Sequence, residues 1–176
     1  MDNELFEKAP IPRAYMTLAI PVVLSMMVTL VYNTVDTYFI AHTGNTDMVA
    51  GVSIATPVFT VMIALGDIFG LGGSSVISRL YGKGRFDDGR RLSVFCFWGA
   101  VFTGIIVIIL GLTFHDPILT MLGADDSTWR YASQFYSLII LGSPFIIVSM
   151  TPSNLLRTEG FAGPSAVGSI LSLIHI

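Results

Sequence analysis

The sequence predicts an all-α polytopic membrane protein, and three observations carry that prediction. Only 12% of the 176 residues are charged, 53% are hydrophobic, and the mean hydropathy is +0.74. A soluble domain carries about a quarter charged residues. Charge-free runs span Ala14–Val35, Met48–Gly66, Leu92–Phe114 and Tyr131–Leu156. Each reaches the roughly 18 residues that mark a membrane helix, and a further apolar run opens at Gly160. Finally, of the nine basic residues only Arg130 falls between the third and fourth helices. Lys8 and Arg13 precede the first helix, Arg79, Lys83, Arg85, Arg90 and Arg91 join the second to the third, and Arg157 follows the fourth. Such an asymmetry places the N-terminus in the cytoplasm of a multi-pass inner-membrane protein.

The expected organisation is a cytoplasmic segment over 1–12, then helices at about 13–41, 48–80, 92–114, 130–156 and 161–170. That makes four complete transmembrane helices and the start of a fifth, so the chain reads as a fragment. The first apolar run is too long for a cleaved signal peptide and no small-x-small site follows it. The final "LSLIHI", residues 171–176, is the translation of a common transposon-library sequencing adapter. It is expected to be read-through, and His175 is set aside from functional argument. The single Cys96 has no partner for a disulfide and is expected to pack as a small apolar group.

The first helix carries a polar stripe. Pro21, Ser25, Thr29, Tyr32 and Asp36 follow one another at spacings that line one helical face, with Asn33 alongside. The remaining faces are Leu, Val, Ile and Met, suited to lipid. Asp36 is therefore expected to face the bundle interior near the outer end of the helix, and Pro21 to bend the helix. The second helix holds a second candidate buried acid, Asp67, on a face with Gly70, Ser74 and Ser78. Gly66 and Gly70 form a small-xxx-small pair for close helix approach, and Pro57 adds another deformable point. The "GLGGSS" stretch lacks the Gly-Lys-Ser/Thr of a phosphate loop and reads as packing.

The third helix, with Gly99, Gly104 and Gly111, reads as packing throughout. Asp125, Asp126 and Ser127 stand ahead of the fourth helix as N-terminal caps. Trp129 and Tyr131 sit where an interfacial aromatic belt belongs. The basic loop "SRLYGKGRFDDGRR" reads first as a topology anchor beside anionic lipid, with a packing or gating contact as its alternative.

An aspartate at the centre of a membrane helix costs roughly 2.5–3.5 kcal/mol on insertion scales. Such residues mark ion and proton paths. Desolvation favours the neutral form of a carboxylate, so Asp36 suits reversible protonation. It also suits sodium binding with oxygens from Tyr32 or Asn33. The structural alternative for both acids is a helix–helix hydrogen bond, and for Asp67 the packing role is equally well supported. No metal, nucleophile or nucleotide motif is present. No enzyme activity and no cofactor beyond a coupling H+ or Na+ are expected.

At these residues a family becomes recognisable. Pro21 with Asp36 in "VDTYFIAHTGNTDMVAGVSIATPV", the loop "ISRLYGKGRFDD" and "GSPFIIVSMTPSNLLRTEGFAGPSAVGSI" resemble the N-terminal half of multidrug and toxic compound extrusion (MATE) transporters. The resemblance is to the bacterial MepA-like and DinF-like branch. It implies a twelve-helix, two-lobed antiporter that exports lipophilic organic cations, with this chain forming part of the N-terminal six-helix lobe. It further implies that Asp36 is the cation-coupling acid, that Pro21 is the bending proline, and that Tyr32 lies beside the acid. The complete protein is expected to be a monomer in the bilayer, completed by its own C-terminal lobe, with no nucleic-acid partner. The fifth-helix Asn-x-x-x-Asp pair usual in this branch falls beyond the chain, and Ala41 stands where a glycine is common. The alternatives are a lipid-linked saccharide flippase of the same superfamily, a membrane enzyme whose catalytic part is missing, and a sensor or scaffold. The flippase is disfavoured because the charges embedded in the helices are acidic.

Overall fold

The computed structural model describes residues 9–175, with side chains to residue 170. Residues 1–8, most of the expected N-terminal segment, lie outside it, as do the side chains of the terminal hexapeptide. Six helices follow in order: α1 (Ile11–His42), α2 (Thr46–Gly82), α3 (Phe86–Thr113), α4 (His115–Met121), α5 (Trp129–Thr158) and α6 (Ala162–His175). Among the described residues there is no strand. Four of the helices, α1, α2, α3 and α5, are long and apolar enough to cross a membrane.

The core is a three-helix bundle of α2, α3 and α5. Lipid is as apolar as leucine, so these helices are held by close packing rather than by water exclusion, and small residues let backbones approach. On α2, Gly51 meets the backbone of Thr128 and Ala132, Gly66 meets the Ile147 carbonyl, and Gly70 meets Met150 and Asn154. These pairs rise together along both helices, so α2 and α5 run parallel. On α3, Gly104 rests on the Cα of Pro144 and Gly111 on Ile140, while Gly73 of α2 meets Cys96. These pairs run in opposite senses, so α3 is antiparallel to both. Outward from this seam, Trp98, Phe102 and Phe145 are exposed as a lipid face. Cys96 is buried as a free thiol, as expected.

The turns that join the helices are chemically specific. Gly44 (φ 69°) and Gly160 (φ 90°) take the left-handed conformation that ends α1 and α5. Asn45 caps α2, its Oδ1 accepting from the N–H groups of Asp47 and Met48, each at 3.1 Å. Its Nδ2 donates to Tyr131 Oη at 2.9 Å and so ties the turn to α5.

Ahead of α5, Asp125 does the capping. Its Oδ1 accepts from Thr128 Oγ1 (2.7 Å), Thr128 N–H (2.9 Å) and Ser127 Oγ (2.9 Å). Those bonds, Thr128's first, hold the Asp125 carboxyl down to about 2. No side-chain bond from Asp126 is found among the described residues, which corrects the expected three-residue cap. The carboxyl that completes the turn geometrically takes all the donors.

Two elements depart from the sequence reading. The third helix begins at Phe86 rather than near Leu92, because its first turns are charged and lie beyond the apolar slab. The short α4 is a surface helix that a charge-free-run criterion does not register, since it contains His115, Asp116 and Pro117. Leu119 anchors it in the core. His115 links it to α5 through Ser133, Oγ to Nε2 at 3.0 Å.

Candidate functional site

The first helix stands apart from this bundle. It packs mainly on α6 and only sparsely on α2, and Ser25 is its one buried residue among those described. Of the less exposed positions of α1, Ala14, Leu18, Pro21, Ser25 and Tyr32 fall on the face of the predicted polar stripe, with Ala19, Val22 and Ile40 to one side of it. The orientation inferred from spacing is therefore the one adopted. The degree of burial is not. Asp36 shares the face but is exposed, which corrects the expectation of a buried carboxylate.

A three-residue connection separates α1 from α2 and α5 from α6, so α1 and α6 both run opposite to α2 and α5, and start from the same end. The described α6 has 14 residues and covers about 21 Å. The 32-residue α1 extends about 48 Å. Ser25 lies within the covered part and Asp36 beyond it. The α6 helix is itself fastened to α5, where Ser165 Oγ donates to the Ser153 carbonyl at 2.9 Å and Arg157 Nε donates to Ser165 Oγ at 3.2 Å.

Tyr32 lies one turn before Asp36 on the same face and is half-buried. Asn33 is turned to the neighbouring side. There it lines an open groove with Leu30, Thr34, Thr37, Tyr38 and Ala41, which Asp36 does not enter. Tyr32 and Asn33, four and three residues before Asp36, both lie about one turn from it on α1. The sequence reading missed Tyr38 and His42, whose rings stack at 5.8 Å and 13° at the end of this groove. Their i, i+4 spacing was the available signal.

Asp67 is half-buried rather than buried. It follows Gly66, and one helical step turns it about 100° from the seam with α5. Ser74 of the same predicted face is also half-buried, and Ser78 is exposed. The two acids are not brought together. Counted from the α1–α2 turn, Asp36 lies about 9 Å deep and Asp67 about 31 Å deep, near the level of Pro21. A single ion or proton is not shared directly between them.

Hydroxyl and acid groups on these helices differ in one respect. Thr29, Thr34 and Thr37 on α1 donate to the carbonyls four residues earlier at 2.8–3.0 Å. Ser53 and Thr56 on α2 do the same. Such groups are satisfied by their own helix and require no cavity. The ion pairs among the described residues are Arg85–Asp88 and His115–Asp116, and neither involves Asp36 or Asp67. Within the membrane-spanning helices, these two carboxylates have no ion-pair partner among the described residues. Among the described residues no group of three or more metal-ligating side chains occurs.

Comparison with known proteins places this arrangement. The MatE family profile matches residues 21–176. The chain is 30% identical over 168 residues to the multidrug export protein MepA of Staphylococcus aureus (strain MRSA252), covering 96% of this chain and 37% of that protein. It is 28% identical to MepA of Staphylococcus saprophyticus, with 96% and 38% covered. Among solved structures, an outward-facing multidrug resistance MATE family transporter of the MOP superfamily superposes with a TM-score of 0.88 at 24% identity. That match covers 97% of this chain and 37% of the other. The MATE transporter ClbM in complex with Rb+ superposes with a TM-score of 0.80 at 26% identity, covering 91% and 37%. The chain thus spans a little over a third of the length of these relatives. With its helices, its stripe-bearing α1 and a profile match over most of its length, the chain belongs to the MatE family of membrane transporters.

Proposed function

We propose that the complete protein exports lipophilic organic cations across a bacterial inner membrane in exchange for inward H+ or Na+, with Asp36 as the coupling carboxylate. The observation that carries this reading is the placement of Asp36. It is an acid on the same face of a membrane helix as Ser25 and Tyr32, without an ion pair among the described residues. A carboxylate so placed exchanges a small cation without first breaking a salt bridge. Tyr32 is positioned to offer its hydroxyl to the same ion. Pro21 removes one backbone hydrogen bond from α1 near its cytoplasmic end, so the helix can change direction below the acid. The N-terminus on the cytoplasmic side follows from the basic residues.

The charges well inside the spanning helices, Asp36 and Asp67, are acidic, which suits a cationic cargo. Aromatic faces such as Tyr38 offer cation–π contacts to it. ClbM carries Rb+ in its solved complex, in keeping with a monovalent-cation site in this fold.

The test is efflux of a fluorescent cationic dye from energised cells expressing the full-length protein, wild type beside Asp36→Asn at equal membrane abundance. Loss of export in the variant is expected. Dissipating the proton and sodium gradients separately identifies the ion. Equal export by both proteins would sink the assignment of Asp36.

A further inference from the structure

At the end of the bundle opposite the α1–α2 turn lies a second opening, formed where the last turn of α2, the first turn of α3 and the end of α5 meet. Tyr81, Phe86, Arg90 and Glu159 line a cavity of about 440 Å³. We propose that it is a binding site for the head group of a zwitterionic phospholipid, with the phosphodiester on Arg90 and the ammonium on Glu159.

The site is built rather than incidental. Tyr81 is held against Gly89, where any Cβ would collide with its ring. Its hydroxyl donates to Glu159 Oε1 at 3.3 Å, and its ring lies 5.5 Å from that of Phe86, tilted by 35°. Two aromatic rings thus line the same cavity as a guanidinium and a carboxylate.

Those two charges line one cavity yet form no ion pair with each other. Two neighbouring cations are engaged elsewhere. Arg85 pairs with Asp88 at 2.7 Å, and Arg157 donates to Ser165. The guanidinium of Arg90 has no carboxylate partner among the described residues.

The lining selects the ligand. An organic cation would meet Glu159 and the aromatic faces favourably but would be repelled by Arg90. A purely anionic head group would suit Arg90 but be repelled by Glu159. A ligand bearing both charges satisfies both walls, the guanidinium fork matching a phosphodiester and the ammonium resting between carboxylate and ring faces. A lipid is favoured over a soluble phosphodiester by position. The cavity opens at the end of three membrane-spanning helices within the basic loop, and Phe86 at its edge is 52% exposed. An apolar ring so exposed beside cationic groups belongs at the boundary between head groups and acyl chains.

The proposal is independent of the transport mechanism, and its test reads lipid, not efflux. The full-length protein is released from an equimolar mixture of phosphatidylethanolamine and phosphatidylglycerol, and retained lipid is counted by native mass spectrometry. Wild type is expected to retain phosphatidylethanolamine preferentially. Glu159→Gln should lower the ethanolamine-to-glycerol ratio at least threefold, and Arg90→Gln should reduce retention of both lipids. Phe86→Ala should weaken retention without changing the ratio. Thermal unfolding of each variant confirms that it is folded. An unchanged ratio in Glu159→Gln overturns the proposal. So does saturable binding of soluble glycerophosphoethanolamine with no retained lipid, which would place the ligand in the cytosol.

Discussion

The first helix and the α2–α5 seam are both made of membrane-spanning chain, yet they are joined to their surroundings in opposite ways. Along the seam, glycines bring backbone against backbone, and most facing positions of α5 are buried. On α1 a single serine is buried. The seam spends its small residues on contact, while α1 carries its polar residues on a face that most of its length leaves open. On the proposed reading, stability and transport chemistry fall to different helices, so substitutions should sort by helix.

The largest separation is expected from a matched pair. At Gly104 an added Cβ would sit 2.7 Å from the Pro144 Cα, a backbone atom that cannot swing away. Gly104→Leu should destabilise the protein by about 3 kcal/mol, whereas Met26→Leu on the exposed part of α1 should change stability by less than about 0.5 kcal/mol. Thermal unfolding in detergent measures both. Equal effects would erase the distinction between the two regions.

Next is the bond that joins them. Tyr131→Phe removes the acceptor of Asn45 Nδ2 and should cost about 1 kcal/mol. Hydrogen exchange should show faster opening of the α1–α2 turn while the seam is unaffected. In the opposite sense, Thr151 Oγ1 is buried in α5 without a partner. Replacing a buried unsatisfied hydroxyl by a methyl of the same shape removes its desolvation penalty, so Thr151→Val should raise stability by about 1 kcal/mol. A lower melting temperature in that variant would mean that the hydroxyl has a partner in the working protein.

The smallest effect concerns the turn before α5. Asp125 has its pKa lowered from 3.8 to about 2 by Thr128 and Ser127. The lowered folded value means that its contribution is fully present above about pH 4 and is lost as the pH falls toward 2. Asp125→Asn should flatten that part of the acid-unfolding curve and leave the neutral region nearly unchanged.

Much of this was legible in the sequence, for identifiable reasons. Charge-free runs located the membrane crossings because the bilayer excludes ions over a fixed thickness. Glycine spacing marked the seam, since only one face of α2 can approach α5 closely. The polar stripe gave the orientation of α1, as its less exposed positions show. What was not legible depends on partners distant in the chain. The joining of Tyr81 to Glu159 spans 78 positions, and no local pattern announces it.

The hydroxyls that bond to their own helix also bear on how the protein is made. Because Thr29, Thr34 and Thr37 satisfy themselves on carbonyls one turn back, α1 can leave the insertion machinery for lipid before any neighbour exists. Its main packing partner, α6, begins about 120 residues later, on the order of ten seconds of synthesis at usual rates. During that interval α1 is an inserted but unassembled helix, with Asp36 as its one charged group inside the bilayer. The earliest segment translated is therefore among the last to dock, and its acid is the group most in need of quality control during biogenesis.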